Sequence, residues 1–288
     1  MDSKFQPDLK KLSAKPFAES LTMLLFGDPG TGKTFFAGTA GPRTVILNVG
    51  VGDETLRSPA FLKKYPYDPY IIDVPRDVNQ FEYCCDSVEW LFKNKAGEFD
   101  TIVLDECTAF RAIALQKAIE VNKDLQKTGT ADAAKKNRGI ISPQIADFGE
   151  EINVVNWFLA EITQECKANN VHLIALAHAR TTYKKPAKIG EPPMLVKVRP
   201  GFTGQTFPDA VLGHFDEVWY LEVVGRGEQK KYRFTTQPNS LLSAKSRHGG
   251  VFKETEENID FPYVVKEIKK HKYIPDPNNP DILIAVKE

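Results

Sequence analysis

Apolar residues gather in short runs along the chain: Leu21 to Gly27 (LTMLLFG), Thr44 to Val49 (TVILNV), Tyr70 to Val74 (YIIDV), Thr101 to Asp105 (TIVLD) and Val171 to His178 (VHLIALAH). Most are apolar almost throughout instead of alternating, which is the pattern of strands covered on both faces. Between them, Val78 to Lys93 and Phe148 to Lys167 carry a helical period; in the second, Ile152, Val155, Leu159 and Ile162 share one face. Strands alternating with helices predict an α/β fold, a mostly parallel sheet flanked by helices.

Beyond His178 the pattern changes. Thr181 to Pro208 is rich in proline and glycine and reads as a long loop, and VWYLEVV, KKYRFTT and SLLSAKSR read as an antiparallel extension of the sheet at the C-terminal side. The last stretch, Lys266 to Glu288, shows little beyond the turn-forming PDPNNPD. The expected division is an N-terminal extension at 1–17, one domain over 18–265 and a C-terminal tail at 266–288.

Composition narrows the setting. A chain of 288 residues with 42% hydrophobic content can bury a core, and its 38 basic and 38 acidic side chains cancel, so any attraction to nucleic acid must be local. Cys84, Cys85, Cys107 and Cys166 show no CxxC spacing and read as reduced thiols. The first residues lack the apolar core of a secretory signal, and no run is long enough to cross a membrane, so a soluble cytoplasmic protein with no membrane partner is expected.

The chemistry sits where the first run ends. Gly27-Asp28-Pro29-Gly30-Thr31-Gly32-Lys33-Thr34 fits G-x-x-x-x-G-K-[ST] between an apolar strand and the helical FFAGTA. Glycines let the backbone curl so that its amides face phosphates, Lys33 reaches the β- and γ-phosphates, and Thr34 offers a hydroxyl to magnesium. The cofactors expected are therefore ATP, or a similar nucleotide, and Mg2+. The motif needs an acid at the end of a neighbouring strand, and TIVLD supplies Asp105 for the metal, with Glu106 beside it as a candidate general base.

These residues resemble the RecA/DnaB-like branch of P-loop NTPases, in particular phage-encoded RecA-like ATPases associated with recombination and single-strand annealing, over roughly Leu21 to Tyr263. The resemblance implies a RecA-like core and a γ-phosphate sensor at His178. It also likens Ala244-Lys245-Ser246-Arg247-His248-Gly249 to a K-x-R-x-G segment whose cations, here Lys245 and Arg247, reach into the next subunit's site. It further implies a homo-oligomer with nucleotide at its interfaces, in a host cell's cytoplasm if phage-encoded. One departure stands out: Asn48, Val49 and Gly50 occupy the strand end where such proteins usually carry their catalytic glutamate. The base is then Glu106, or Glu54 if the loop folds back.

Two cation-rich segments fit a single-stranded DNA partner. Lys123 to Arg138 could line a channel, and Thr181 to Thr206 interleaves Lys184, Lys185, Lys188, Lys197 and Arg199 with Tyr183 and Phe202, a composition for gripping phosphates while stacking bases. The expected function is an ATP-driven RecA-like protein acting on single-stranded DNA in phage-type recombination or replication. The alternative is an AAA+-type remodelling or loader ATPase acting on a protein partner, to which the adjacent Asp105 and Glu106 lend weight.

Overall fold

In the computed structural model, which describes residues 20–50, 52–76, 79–126, 143–184, 193–276 and 279–287, the five apolar runs are strands. They are β1 (Thr22–Gly27), β2 (Thr44–Asn48), β3 (Tyr70–Asp73), β4 (Thr101–Asp105) and β5 (His172–Lys184), and the helices among them are α1 (Lys33–Gly38), α2 (Pro59–Lys64), α3 (Gln80–Asn94), α4 (Cys107–Gln126) and α5 (Ile145–Ala168). The later elements are β6 (Met194–Pro200), α6 (Phe207–Ala210), β7 (Glu217–Val224), β8 (Lys231–Thr235), β9 (Lys245–Ser246), β10 (Thr255–Glu257), α7 (Phe261–Lys270), β11 (His271–Asp276) and β12 (Asn279–Lys287).

The main sheet runs β10-β8-β7-β1-β5-β4-β2-β3, with β6 paired to β5 and β9 to β7. Continuous apolarity has its cause here, because each central strand faces two cores. On β1, Leu24 and Phe26 join one cluster with residues of α3, α4 and α5, while Met23 and Leu25 join another with α1, α2 and α7. Both sets are fully buried, and burying apolar surface on both faces is the main drive for this layered arrangement. The stripe on α5 behaves as expected: Val155, Leu159 and Ile162 lie in the first core and Ile152 packs at its margin.

Three expectations are corrected. The stretch after His178 is not simply a loop: β5 continues to Lys184 and returns antiparallel as β6, with Thr181 opposite Val198 and Arg180 opposite Arg199. The VWYLEVV run is parallel to β1, Met23 lying opposite Glu217, and only its partners β8 and β9 are antiparallel to it. The SLLSAKSR segment contributes just the two residues of β9. Helix α4 had no counterpart in the sequence reading, and its weak amphipathic pattern explains why. Past residue 265, α7 continues to Lys270 with Ile268 buried in the second core, and β11 pairs antiparallel with β12.

Candidate nucleotide site

Backbone shape makes the loop after β1. A Cβ on Gly27 would stand 2.2 Å from the carbonyl oxygen of Leu221 in β7, so only glycine fits. Gly30 and Gly32 take φ of 77° and 92°, the left-handed turns that point successive amides into one concavity. The Asp28 carbonyl accepts from the Thr31 hydroxyl at 2.8 Å and closes the turn, leaving Asp28, Pro29 and Gly30 on the exposed rim. Lys33 folds over its own loop, donating from Nζ to the carbonyls of Gly27 and Asp28, each at 3.0 Å. Burial lowers its pKa against the opposing pull of Glu106, Asp105 and Asp28.

The second strand over brings the metal-type donors. β5 lies between β1 and β4, and the geometry spans it: the Thr34 hydroxyl donates to Asp105 Oδ2 at 2.9 Å. Burial raises the Asp105 carboxyl above the usual carboxylate range, while the Thr34 hydrogen bond and Lys33 pull it back. A hydroxyl and a carboxylate are hard oxygen donors, the set magnesium takes when phosphates and water complete its shell, so the residues fit that ion. Among the described residues no group of three or more His, Cys, Asp and Glu could hold a metal.

The loop after β2 folds back over this pair. The amides of Val49 and Gly50 donate to the Asp105 carbonyl at 2.7 and 3.1 Å, and a Cβ on Gly52 would stand 2.8 Å from Asp105 Oδ2. The same fold brings in Asp53, which heads a 3-10 turn (Asp53–Thr55), pairs with Arg57 at 3.0 Å and pushes the Asp105 pKa up by its charge. Sequence reasoning missed Asp53, because only the fold of this loop brings it to Asp105. Glu54, the alternative base, is exposed. Asn48, standing where the glutamate was expected, donates to Asp73 Oδ1 at 2.7 Å.

Glu106 follows Asp105 through a cis peptide, and its Oε1 lies 2.9 Å from His178 Nε2. Burial lifts the Glu106 carboxyl to about 7, Lys33 opposing and Asp105 adding to the rise. Burial, then the charge of Lys33, holds His178 below its ordinary value. Both shifts favour the uncharged forms, so the contact reads as a hydrogen bond between the imidazole and the Glu106 side chain. His178 stands opposite Gly27 in the sheet, and its amide donates to the Thr108 hydroxyl at 3.0 Å, a positioning contact from the first turn of α4 that the sequence did not suggest.

Lys33, Thr34, Asp105, Glu106 and His178 thus converge; Lys245 and Arg247 do not join them. They sit at the opposite end of the sheet, where β9 pairs with the start of β7. Lys245 Nζ donates to the Leu212 and Phe215 carbonyls, each at 2.7 Å, and Arg247 Nη1 contacts Asp216 at 2.8 Å. The cation-rich loop reading also needs correction. Phe202 is wholly buried, so it stacks on no base, and Lys197 and Arg199 both pair with Asp209, at 3.0 and 3.3 Å. Tyr183 and Lys184 are exposed. Lys185 and Lys188, and most of Lys123 to Arg138, lie outside the described residues.

A Walker A loop on a central strand, a Walker B carboxylate two strands away and a polar residue on the strand between them define a nucleotide-binding P-loop NTPase. Residues 19–248 match the AAA_24 family of AAA domains, and the chain belongs to that family. Among solved structures it is similar to the RadB recombinase, with 15% identity over 78% of this chain and 86% of that chain and a TM-score of 0.36. It is also similar to a KaiC-like protein from Pyrococcus horikoshii OT3, with 12% identity over 92% of this chain and 88% of that chain and a TM-score of 0.37. No curated protein matches the chain. Among the described residues no helix is long and apolar enough to cross a membrane.

Proposed function

We propose that the protein binds Mg·ATP and hydrolyses it, and that it does so as a homo-oligomer acting on single-stranded DNA, in recombination or replication of the phage type. The observation that carries the hydrolytic reading is the pairing of Glu106 with His178 directly beside the Thr34–Asp105 contact. Thr34 and Asp105 would hold magnesium, which when bound neutralises charge on the phosphates. Lys33 leaves its two carbonyl partners for the β- and γ-phosphate oxygens. Glu106 accepts the proton of the attacking water, and His178 exchanges its Glu106 contact for the γ-phosphate, so that its state reports hydrolysis.

Support for a polymer partner comes from the hairpin beyond His178. Beyond His178, β5 runs on to Lys184 paired with β6, and the Gly201 amide just past β6 donates to the His178 carbonyl at 2.8 Å. A shift of the sensor is thereby passed to a projection bearing exposed Tyr183, Lys184, Met194 and Leu195. Lys184 suits a phosphate backbone and Tyr183 a base. Arg247, whose side chain is 47% exposed, remains the residue assigned to the neighbouring subunit's site in this reading.

The test is ATP turnover with and without single-stranded DNA for the parent chain, Lys33→Ala, Glu106→Gln and Arg247→Ala. Turnover stimulated by DNA, and lost in Glu106→Gln with nucleotide binding kept, is the expected result. Partial recovery on mixing Lys33→Ala with Arg247→Ala would assign Arg247 to a shared interface. A monomer with turnover indifferent to DNA but raised by a protein partner would favour a remodelling ATPase instead.

A further inference from the structure

The residues assigned so far all serve the phosphates and metal; none serves the nucleoside. Strand order sets the direction in which a bound nucleotide must lie. Asp105 and Glu106 at the end of β4, and His178 on β5, lie to one side of β1, so the γ-phosphate faces that side. Its nucleoside leaves the loop toward β7 and β8.

The aromatic ring on that side that touches the loop's last glycine is Tyr232 of β8. It lies directly against the last glycine of the loop: a Cβ on Gly32 would stand 2.9 Å from Tyr232 Cε1 and 3.2 Å from Cδ1. Its backbone is held by Asn258 through two bonds, the amide donating to Asn258 Oδ1 at 3.0 Å and the carbonyl accepting from the Asn258 amide at 2.8 Å. Two residues on, Phe234 turns into the second core against Phe36 and Trp219 and fixes the strand beneath. Tyr232 itself is only partly buried, and the exposed Lys230 places its ammonium 5.4 Å from the ring centroid, which shows that the ring can be approached from solvent. A flexible lysine on that ring yields readily to a better-fitting partner.

The geometry points to Tyr232 as the platform on which the base of the bound nucleoside triphosphate stacks, with Lys230 moving aside toward the phosphates. This assignment rests on the nucleotide reading above and extends it to the other end of the ligand. Stacking uses the π-face that all bases share, so it adds affinity for a nucleoside without choosing adenine over guanine.

Calorimetric titration of the full chain with Mg·ATP and, separately, with Mg·tripolyphosphate tests it. Tyr232→Ala is expected to weaken ATP binding by about tenfold or more, with tripolyphosphate affinity unchanged. Tyr232→Phe, which keeps the ring, restores ATP affinity. Tyr232→Leu keeps apolar bulk against Gly32 but has no π-face, and is expected to behave as the alanine variant does; it also serves should that variant fail to fold. Equal weakening of both ligands would make the ring a mere prop for the loop and overturn the proposal, as would parental ATP affinity in Tyr232→Leu. A parent chain that binds tripolyphosphate as tightly as ATP would overturn it while leaving the phosphate site intact. A parent that binds neither ligand would remove the nucleotide reading itself.

Discussion

At the C-terminal end of β1, Lys33, Asp105, Glu106 and His178 crowd together with few protein partners, and burial moves each pKa toward the uncharged form. At the other end of the same six-residue strand, Asp216 is also buried, yet it accepts from the Thr22 hydroxyl at 2.8 Å, the Thr22 amide at 3.1 Å and Lys167 at 3.0 Å. Burial alone would push that carboxyl up, but Lys167 and Thr22 together hold it below the ordinary range. Glu217 beside it is matched too, by the Trp219 indole, Ser246 and His248. One end leaves charges waiting for a ligand and the other satisfies them from within the chain. Poor satisfaction costs stability and serves binding; full satisfaction does the reverse.

This contrast can be broken from either side. Asp216→Ala should cost the most stability, about 3 kcal/mol, because Thr22 and Lys167 lose a buried partner. The half-exposed Arg247 should add less than about 1 kcal/mol to that loss. Urea unfolding measures both, and nucleotide affinity of the folded protein should not change. Lys33→Ala should do the opposite, lowering turnover by about 10²- to 10³-fold while stability stays within about 1 kcal/mol of the parent. A large loss of stability in Lys33→Ala would mean that the loop lysine is structural and would erase the distinction.

Acid sharpens the contrast at the satisfied end. His172 Nδ1 accepts from the Leu21 amide at 2.9 Å, and burial, then the charge of Lys269, lowers its pKa from 6.5 to about 4. The unfolded chain therefore takes up a proton that the folded chain refuses. Stability from this group is complete above pH 6.5 and is lost as pH falls toward 4, by up to about 3 kcal/mol. Unfolding free energy measured across that window should show the decline, and His172→Gln should flatten it. A profile unaltered by that substitution would move the acid sensitivity elsewhere.

Smaller effects probe the support for the site. Thr108→Val removes the acceptor for the His178 amide, which should cost about 1 kcal/mol and lower turnover severalfold through misplacement of the sensor. Glu54→Gln should change turnover by less than about twofold, since Glu54 is exposed; a loss comparable to that of Glu106→Gln would transfer the role of base to it.

The five early strands and the loop from Gly27 to Thr34 were legible because their determinants are contiguous: apolar runs, glycine spacing and one lysine. Asp105 was legible because it ends such a run. Three readings failed for a common reason. Phe202 looked like a stacking residue and is core, Lys197 and Arg199 looked available and are paired with Asp209, and α4 lacked a strong period although Phe110 and Ala114 are buried. In each case the deciding neighbour lies elsewhere in the chain, and composition of a segment carries no record of it. Asp53 was overlooked for the same reason, since only the return of the loop after β2 brings it to Asp105.

Sequence alone determined that this chain builds a doubly covered sheet and curls its backbone for phosphates, because burial periodicity and glycine torsions are properties of neighbouring residues. Tertiary structure decided that β5 comes between the loop strand and Asp105, that Glu106 meets His178, that Lys245 and Arg247 lie at the far end from the phosphates, and that Tyr232 rests on Gly32. Those are contacts between residues tens to hundreds of positions apart, set by the order in which strands find their partners in the sheet.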